Sequence, residues 1–231
     1  MDVVETNGWI PILSDPLSDP LNDEQKTLLA DNTFIHYPYK GEVLFRIGDQ
    51  PQWLHYLLEG SVTVYTQDAN GQTRTVNMLP PGTIFGYRDA FCNADYTHTA
   101  IANEDTIVAK ISLSTIFHLI WENSAFAMVF IKDLSDLLGL SLRHTIVVTK
   151  KNIRGRLAEC ILRMKAKYGI EEDGTLPIYL SRENLAGMSN MTTSNAIRTL
   201  SAFIDEGLVS LAGRRIKILD EEGLQRVSAI G

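Results

Sequence analysis

The alternation of hydrophobic and polar residues changes character along the chain. Met1 to Asn22 is rich in Asp, Pro and Ser and reads as an irregular arm. Leu21 to Asp31 reads as a short helix, with Asp23 and Glu24 in the first turn, where the helix dipole favours acids. From Thr33 to Ser112 apolar residues alternate with polar ones in short runs, which predicts strands at Phe34–Tyr39, Glu42–Arg46, Trp53–Glu59, Ser61–Gln67, Thr73–Met78 and Thr106–Ser112. Turn chemistry separates them at Lys40-Gly41, Gly48-Asp49, Glu59-Gly60, Asn70-Gly71 and Pro81-Gly82. Many short strands at this spacing form an antiparallel barrel or roll. Asn70-Gly71 is a hairpin turn, because both residues accept positive φ.

Beyond Ser112 the period becomes helical. Leu113 to Glu122 predicts one helix, and Ser124 to Thr149 a long one interrupted by no proline. Ile131, Leu134, Leu138, Ser141, Thr145 and Val148 recur at alternating spacings of three and four, the period of a coiled-coil seam. Phe130, Leu137 and Ile146 widen that stripe, so the helix presents two apolar faces. A plain core helix needs one such face; a helix that also pairs with its own copy needs both. Asn152 caps the next helix, Ile153 to Tyr168, which carries Arg154, Arg156, Arg163, Lys165 and Lys167. Gly169 to Pro177 is a loop holding Glu171, Glu172 and Asp173.

The last segment has the layout of a helix-turn-helix. Ser181 caps a short helix, Arg182 to Met188, and the turn Ser189-Asn190-Met191 contains a residue suited to left-handed geometry. Thr192 then caps Thr193 to Glu206. On that second helix Ala196, Leu200 and Phe203 share a face, with Ile197 and Ile204 beside it. Ser194, Asn195, Arg198 and Ser201 lie opposite, either as a solvated face or as the face that enters a DNA groove. In the second case Arg198 suits a guanine edge, Ser194 and Asn195 reach bases or phosphate, and Thr192 and Thr193 present backbone N–H groups to phosphate. A hairpin follows, Val209–Leu211 and Ile216–Leu219, with Arg214 and Arg215 at its tip for phosphates. Arg182 completes the candidate DNA-binding set.

Charge sharpens this division. Lys150 to Gly231 holds 13 Lys and Arg against 10 Asp and Glu, whereas the first 149 residues hold 8 against 18. The first 149 residues therefore carry −10 and the rest +3, which together make the net −7. The N-terminus lacks the early positive charge of a secretory signal, no apolar run spans a membrane, and the two cysteines build no disulfide framework, so the expected compartment is the cytoplasm. No metal-ligand spacing, nucleophile elbow or Walker loop marks an enzyme. No cofactor and no metal site is expected.

Taken in order, the Lys40-Gly41-Glu42, Gly48-Asp49, Leu58-Glu59-Gly60, Asn70-Gly71, Pro81-Gly82 and Gly86 series, the long helix, and the segment Ser194 to Val209 resemble the Crp/Fnr superfamily over nearly the whole chain. The resemblance implies an α+β chain. An N-terminal arm and a jelly-roll-like antiparallel β-roll of the cyclic-nucleotide-binding type would occupy 1–123, a long dimerisation helix 124–150, and a winged helix-turn-helix 151–231. It further implies a homodimer on a near-palindromic operator in double-stranded DNA, with RNA polymerase as a partner. The alternative is a sensor whose helix-turn-helix serves protein contacts alone.

The sequence departs from the family in its effector segment. Where cyclic-AMP-binding members carry Gly-Glu-Leu and later Arg-Ser, this chain has Gly86-Tyr87-Arg88 and His98-Thr99. A cyclic phosphate needs a cation or dense N–H donors, and a largely neutral imidazole is a poor substitute. Cyclic AMP is therefore not expected, unless Arg88 takes over the phosphate. Oxygen-sensing members use four cysteines for a cluster and this chain has only Cys92 and Cys160, so that sensor is excluded. Haem ligation by His98 and a redox role for Cys92 stay open. Tyr87, Phe91, Tyr96 and Trp121 suggest an uncharged or aromatic effector in a pocket with Gly86, Arg88, His98 and Thr99, or else they fill the roll. Arg198 is kept from the family's best-known recognition helix while Thr193 and Ser194 differ, so the operator sequence should differ too.

Overall fold

The computed structural model describes residues 17–67, 73–212 and 215–230. The expected arm up to residue 16, the Asn70-Gly71 turn and Arg214 lie outside the described residues. The chain divides into two compact units, built mainly from the residues up to Leu137 and from Leu138 onward, so the division falls within the long helix.

The first unit begins with α1 (Asp23–Asp31), held by a reciprocal cap between Asn22 and Gln25. Strands β1 (Thr33–His36), β2 (Val43–Phe45), β3 (Trp53–Glu59), β4 (Val62–Gln67), β5 (Thr73–Leu79) and β6 (Ile84–Phe85) follow. After them come the one-turn α2 (Arg88–Phe91), β7 (Thr99–Ala102), β8 (Ile107–Ser112), α3 (Leu113–Glu122) and the long α4 (Ser124–Lys150). The strands form two four-stranded sheets, ordered β1-β8-β3-β6 and β2-β7-β4-β5.

Strand β3 explains the layering. Leu54 and Tyr56 point to one side, where Leu29, Ile116, Leu119, Phe126 and Phe130 of the helices cover them. Leu57 points to the other, where it meets Val62, Leu79, Phe85, Ala100 and Val108 from both sheets. A strand buried on both faces loses its clean alternation, which is why Trp53–Glu59 reads as a near-continuous apolar run. Gly60 and Gly86 turn the chain at φ +83° and +77°. A Cβ at Gly60 would stand 2.7 Å from Thr106 Oγ1, and one at Gly86 would stand 2.7 Å from His55 Nδ1. Both positions demand glycine for conformation and for space.

The second unit holds the end of α4, α5 (Ile153–Tyr168), α6 (Arg182–Met188), α7 (Thr193–Asp205), β9 (Val209–Ala212), β10 (Arg215–Ile218) and α8 (Glu221–Ile230). Helix α5 is its frame: Leu157, Ala158, Ile161 and Met164 are buried along it. Residues 174–176 add a short third rung to the hairpin, through Leu176 N–H to Ile216 O at 2.8 Å and Ile218 N–H to Gly174 O at 3.0 Å.

Candidate nucleic-acid interface and effector segment

Local capping chemistry builds the helix-turn-helix. Ser181 accepts from Asn184 N–H at 3.0 Å to start α6, and Thr192 accepts from Asn195 N–H at 3.3 Å to start α7. Between them Asn190 takes φ +49°, and Met191 N–H closes the turn on Ala186 O at 2.9 Å. Each cap satisfies a backbone donor that the helix cannot. Ala196, Thr199, Leu200 and Phe203 are buried along α7, which fixes which side faces out.

That outward side carries most of the residues singled out by sequence. Ser194, Arg198 and Ser201 are exposed on one stripe at spacings of four and three. Thr193 and Asn195 are half-buried at its start and Thr192 is exposed. Asn195 Oδ1 accepts from Arg198 Nη2 at 3.1 Å, so the guanidinium is oriented before any partner arrives. Ile197, grouped by sequence beside the buried face, is 46% exposed between these polar residues. An exposed apolar side chain on such a stripe suits a thymine methyl. Arg182 is half-buried in the first turn of α6.

The hairpin calls for a correction. Arg215 was expected as a tip cation open to phosphate, but it is half-buried and ion-paired to Glu171. Lys217, two residues on and on the same face, lies 3.5 Å from Asp173. The acidic loop meets this strand because residues 174–176 pair with it. Loop and strand are far apart in sequence, so the spacing of residues gave no sign of the match.

Part of the basic face of α5, with Lys151 just before it, is spent in the same way. Lys151 donates to Glu159 at 3.0 Å and to Ser228. Arg154 binds Glu206, and Lys165 binds Glu221. Arg163 donates to Met188 O at 3.2 Å. The excess of cations in this part of the chain is thus largely matched within the fold, and the candidate interface narrows to α7 and its approaches.

The effector segment gives a second correction. The four aromatic rings grouped by sequence do not line one cavity. Tyr87 packs edge-on against Phe91 and Phe130, with ring centroids 5.2 and 5.4 Å apart, and its hydroxyl donates to Asp133. Tyr96 stacks on Phe45 at 3.9 Å and donates to Gly86 O at 3.0 Å. Trp121 is 88% exposed at the end of α3. The apolar area of Tyr87, Phe91 and Tyr96 is already used in the core. Thr99 Oγ1 accepts from Ile47 N–H at 3.1 Å, and His98 Nδ1 lies 2.7 Å from Thr97 Oγ1. Burial, then the charge of exposed Arg88, lower the His98 pKa, with Asp89 opposing. The imidazole is therefore neutral near pH 7 and no cation. Cys92 is exposed at the end of α2, and Cys160 is buried in α5.

On the long helix, Ile131, Leu138, Ser141 and Thr145 are exposed. Leu134 and Val148 are half-buried, Leu134 against the core of the first unit and Val148 beside α5. Leu140, Leu142 and Ile146 add exposed apolar surface along it. Among the described residues no helix is long and apolar enough to cross a membrane.

The family model for the cyclic nucleotide-binding domain matches residues 36–123, and that for the Crp-like helix-turn-helix domain matches residues 155–227. The chain is 23% identical over 216 residues to the transcriptional regulatory protein btr of Bordetella pertussis, covering 92% of this chain and 88% of that one. It is 26% identical over 187 residues to the cAMP-activated global transcriptional regulator CRP of Pasteurella multocida, covering 80% and 89%. The solved structure of FixK2 from Bradyrhizobium japonicum superposes with a TM-score of 0.76 at 18% identity, over 84% of this chain and 96% of that chain.

Proposed function

Because the chain belongs to the Crp/Fnr family of transcriptional regulators, whose members bind DNA and form dimers, we propose that it reads a near-palindromic duplex as a homodimer, with one α7 in each major groove. The observation that carries this reading is the exposed stripe of α7, in which Asn195 holds the guanidinium of Arg198 outward. Arg198 grips a guanine edge through O6 and N7, Ile197 meets a thymine methyl, and Ser194 and Ser201 contact bases or phosphate. Thr192 and Thr193 present the N–H groups of the helix N-terminus to a phosphate. Arg182 approaches the backbone from α6. Pairing runs along α4 through Ile131, Leu134, Leu138, Ser141, Thr145 and Val148, of which Ile131, Leu138, Ser141 and Thr145 are exposed in one chain, as an unpaired seam requires. RNA polymerase is the expected further partner.

The effector segment favours control without cyclic AMP. Tyr87 and His98 stand where cyclic-AMP-binding members carry Glu and Arg, and the pKa of His98 is lowered. The packed rings of Tyr87, Phe91 and Tyr96 favour a roll filled by its own side chains over one that encloses an aromatic ligand.

Fluorescence anisotropy with duplexes selected from a randomised pool tests the reading. We expect two chains per duplex, and affinity that falls steeply with salt. Failure to enrich any duplex would refute it, and would favour a sensor that acts through protein contacts.

A further inference from the structure

One contact in the second unit joins the start of α5 to the end of α7. Asn152 caps α5 by accepting from Gly155 N–H at 2.9 Å. Two residues on, Arg154 reaches Glu206, the C-cap of α7: Nη1 donates to Oε1 at 2.8 Å and Nη2 to Oε2 at 2.6 Å. The guanidinium carbon also lies 5.1 Å from the ring centre of Phe203, which is fully buried. Two parallel hydrogen bonds and a ring contact fix both the distance and the plane of the pair.

The pair is not what holds the fold. Its side chains are 40% and 44% exposed, and ion pairs so placed contribute little to stability. Ala196, Leu200 and Phe203 anchor α7 instead. What the pair controls is angle. Ser194 lies twelve residues before Glu206 on one rigid rod, a lever of ~18 Å at 1.5 Å per residue. A swing of ~10° at the Glu206 end would move Ser194 by ~3 Å, about the length of a hydrogen bond.

Resting on the DNA-binding reading above, we infer that Arg154 and Glu206 are positioning residues that set the angle at which α7 is presented. They tie that angle to the first turn of α5, directly after the break that ends α4. Neither residue touches DNA. The planar guanidinium is essential, because an ammonium cannot reproduce a two-bond grip.

The test uses the full chain, a duplex selected by the wild-type protein from a randomised pool, and an unrelated duplex of equal length. Arg154→Gln, Arg154→Lys and Glu206→Gln should each weaken the selected duplex about tenfold, the scale of one lost base contact. Binding to the unrelated duplex and the thermal midpoint should stay near wild type. The exchange Arg154→Glu with Glu206→Arg should restore the preference. If Glu206→Gln instead tightens both duplexes, and Arg154→Gln loosens both with a salt slope smaller by about one, Arg154 is a phosphate contact and the inference is overturned. An unchanged ratio between the two duplexes in all single variants overturns it as well. A wild-type protein that selects no duplex removes the DNA reading itself, before any variant is made.

Discussion

The hydroxyl of Tyr87 donates to the carboxylate of Asp133, joining the segment after β6 to α4 by a polar contact beside an aromatic cluster. Burial raises the pKa of this phenol, and the hydrogen bond and charge of Asp133 raise it further, so it stays protonated and donating. Removing a hydrogen bond to a charged group costs ~1.5–3 kcal/mol. Tyr87→Phe and Asp133→Asn should each lower the urea midpoint, and the double variant should cost less than the two single losses added together. Strict additivity in that cycle would show that the contact contributes nothing.

His55 makes the roll sensitive to acid. It is buried between Phe45 and Phe85, with ring centroids at 5.5 and 5.0 Å, and its Nδ1 has no partner among the described residues. Burial, then the charges of Lys110 and His36, bring its pKa down to about 3, against a backbone bond to Phe85. The unfolded chain takes up this proton near pH 6.5 and the folded chain does not. Stability is therefore unaffected above that pH and falls as pH drops toward 3, by up to ~1.4 kcal/mol per unit. Unfolding free energies measured from pH 7 to pH 4 should follow that slope. His55→Phe should flatten it, whatever constant offset the new ring brings; an undiminished slope in this variant would clear His55.

Base selectivity should reside in Arg198. Arg198→Ala should cost ~1–3 kcal/mol on the selected duplex and relax preference at one base pair. Asn195→Ala removes only the bond that orients the guanidinium, so its loss should be smaller and at the same base pair. Anisotropy across single-base variants of the duplex reads both effects. Unchanged preference at every position in Arg198→Ala would remove this residue from the interface.

The exposed seam of α4 predicts a variant that separates folding from pairing. Leu138 is 61% exposed in one chain. Leu138→Glu should leave helix content unchanged by circular dichroism and halve the mass seen in sedimentation. A dimer of undiminished stability would place the self-contact elsewhere.

The acidic loop should restrain the hairpin. Glu171→Gln frees Arg215, so affinity for any duplex should rise and the salt slope should steepen by about one. Titrations at several salt concentrations check this; no change in slope would show that Arg215 stays clear of phosphate.

Elements set by local chemistry were legible in the sequence. The predicted bounds of α5 and α6 match the structure because Asn152 and Ser181 cap them with their own side chains. Strand β3 was predicted at its observed bounds, among the short alternating runs set off by turn signals. Strand β7 was missed: Thr99–Ala102 is rich in alanine, a poor strand former, and owes its extended form to pairing with β2 and β4. Strand β6 has two residues and carries no period at all. Helix α8 was overlooked although Asp220 accepts from Gly223 N–H at its start. At the candidate site the polar stripe of α7 was readable from its period. The partners of Arg154 and Arg215 were not, because Glu206 and Glu171 reach them only through tertiary structure.

The matched charges of β10 and the acidic loop bear on how a regulator finds its operator. Random duplex offers little but its backbone, and lateral diffusion along it depends on cations left over for that backbone. With Arg215 and Lys217 already engaged by Glu171 and Asp173, such a chain would, on the DNA-binding reading proposed above, have a weak hold on non-operator sequence. On that same reading, its search would proceed by repeated release and recapture through bulk solution rather than by scanning along the strand, and little of it would be sequestered on the rest of the chromosome.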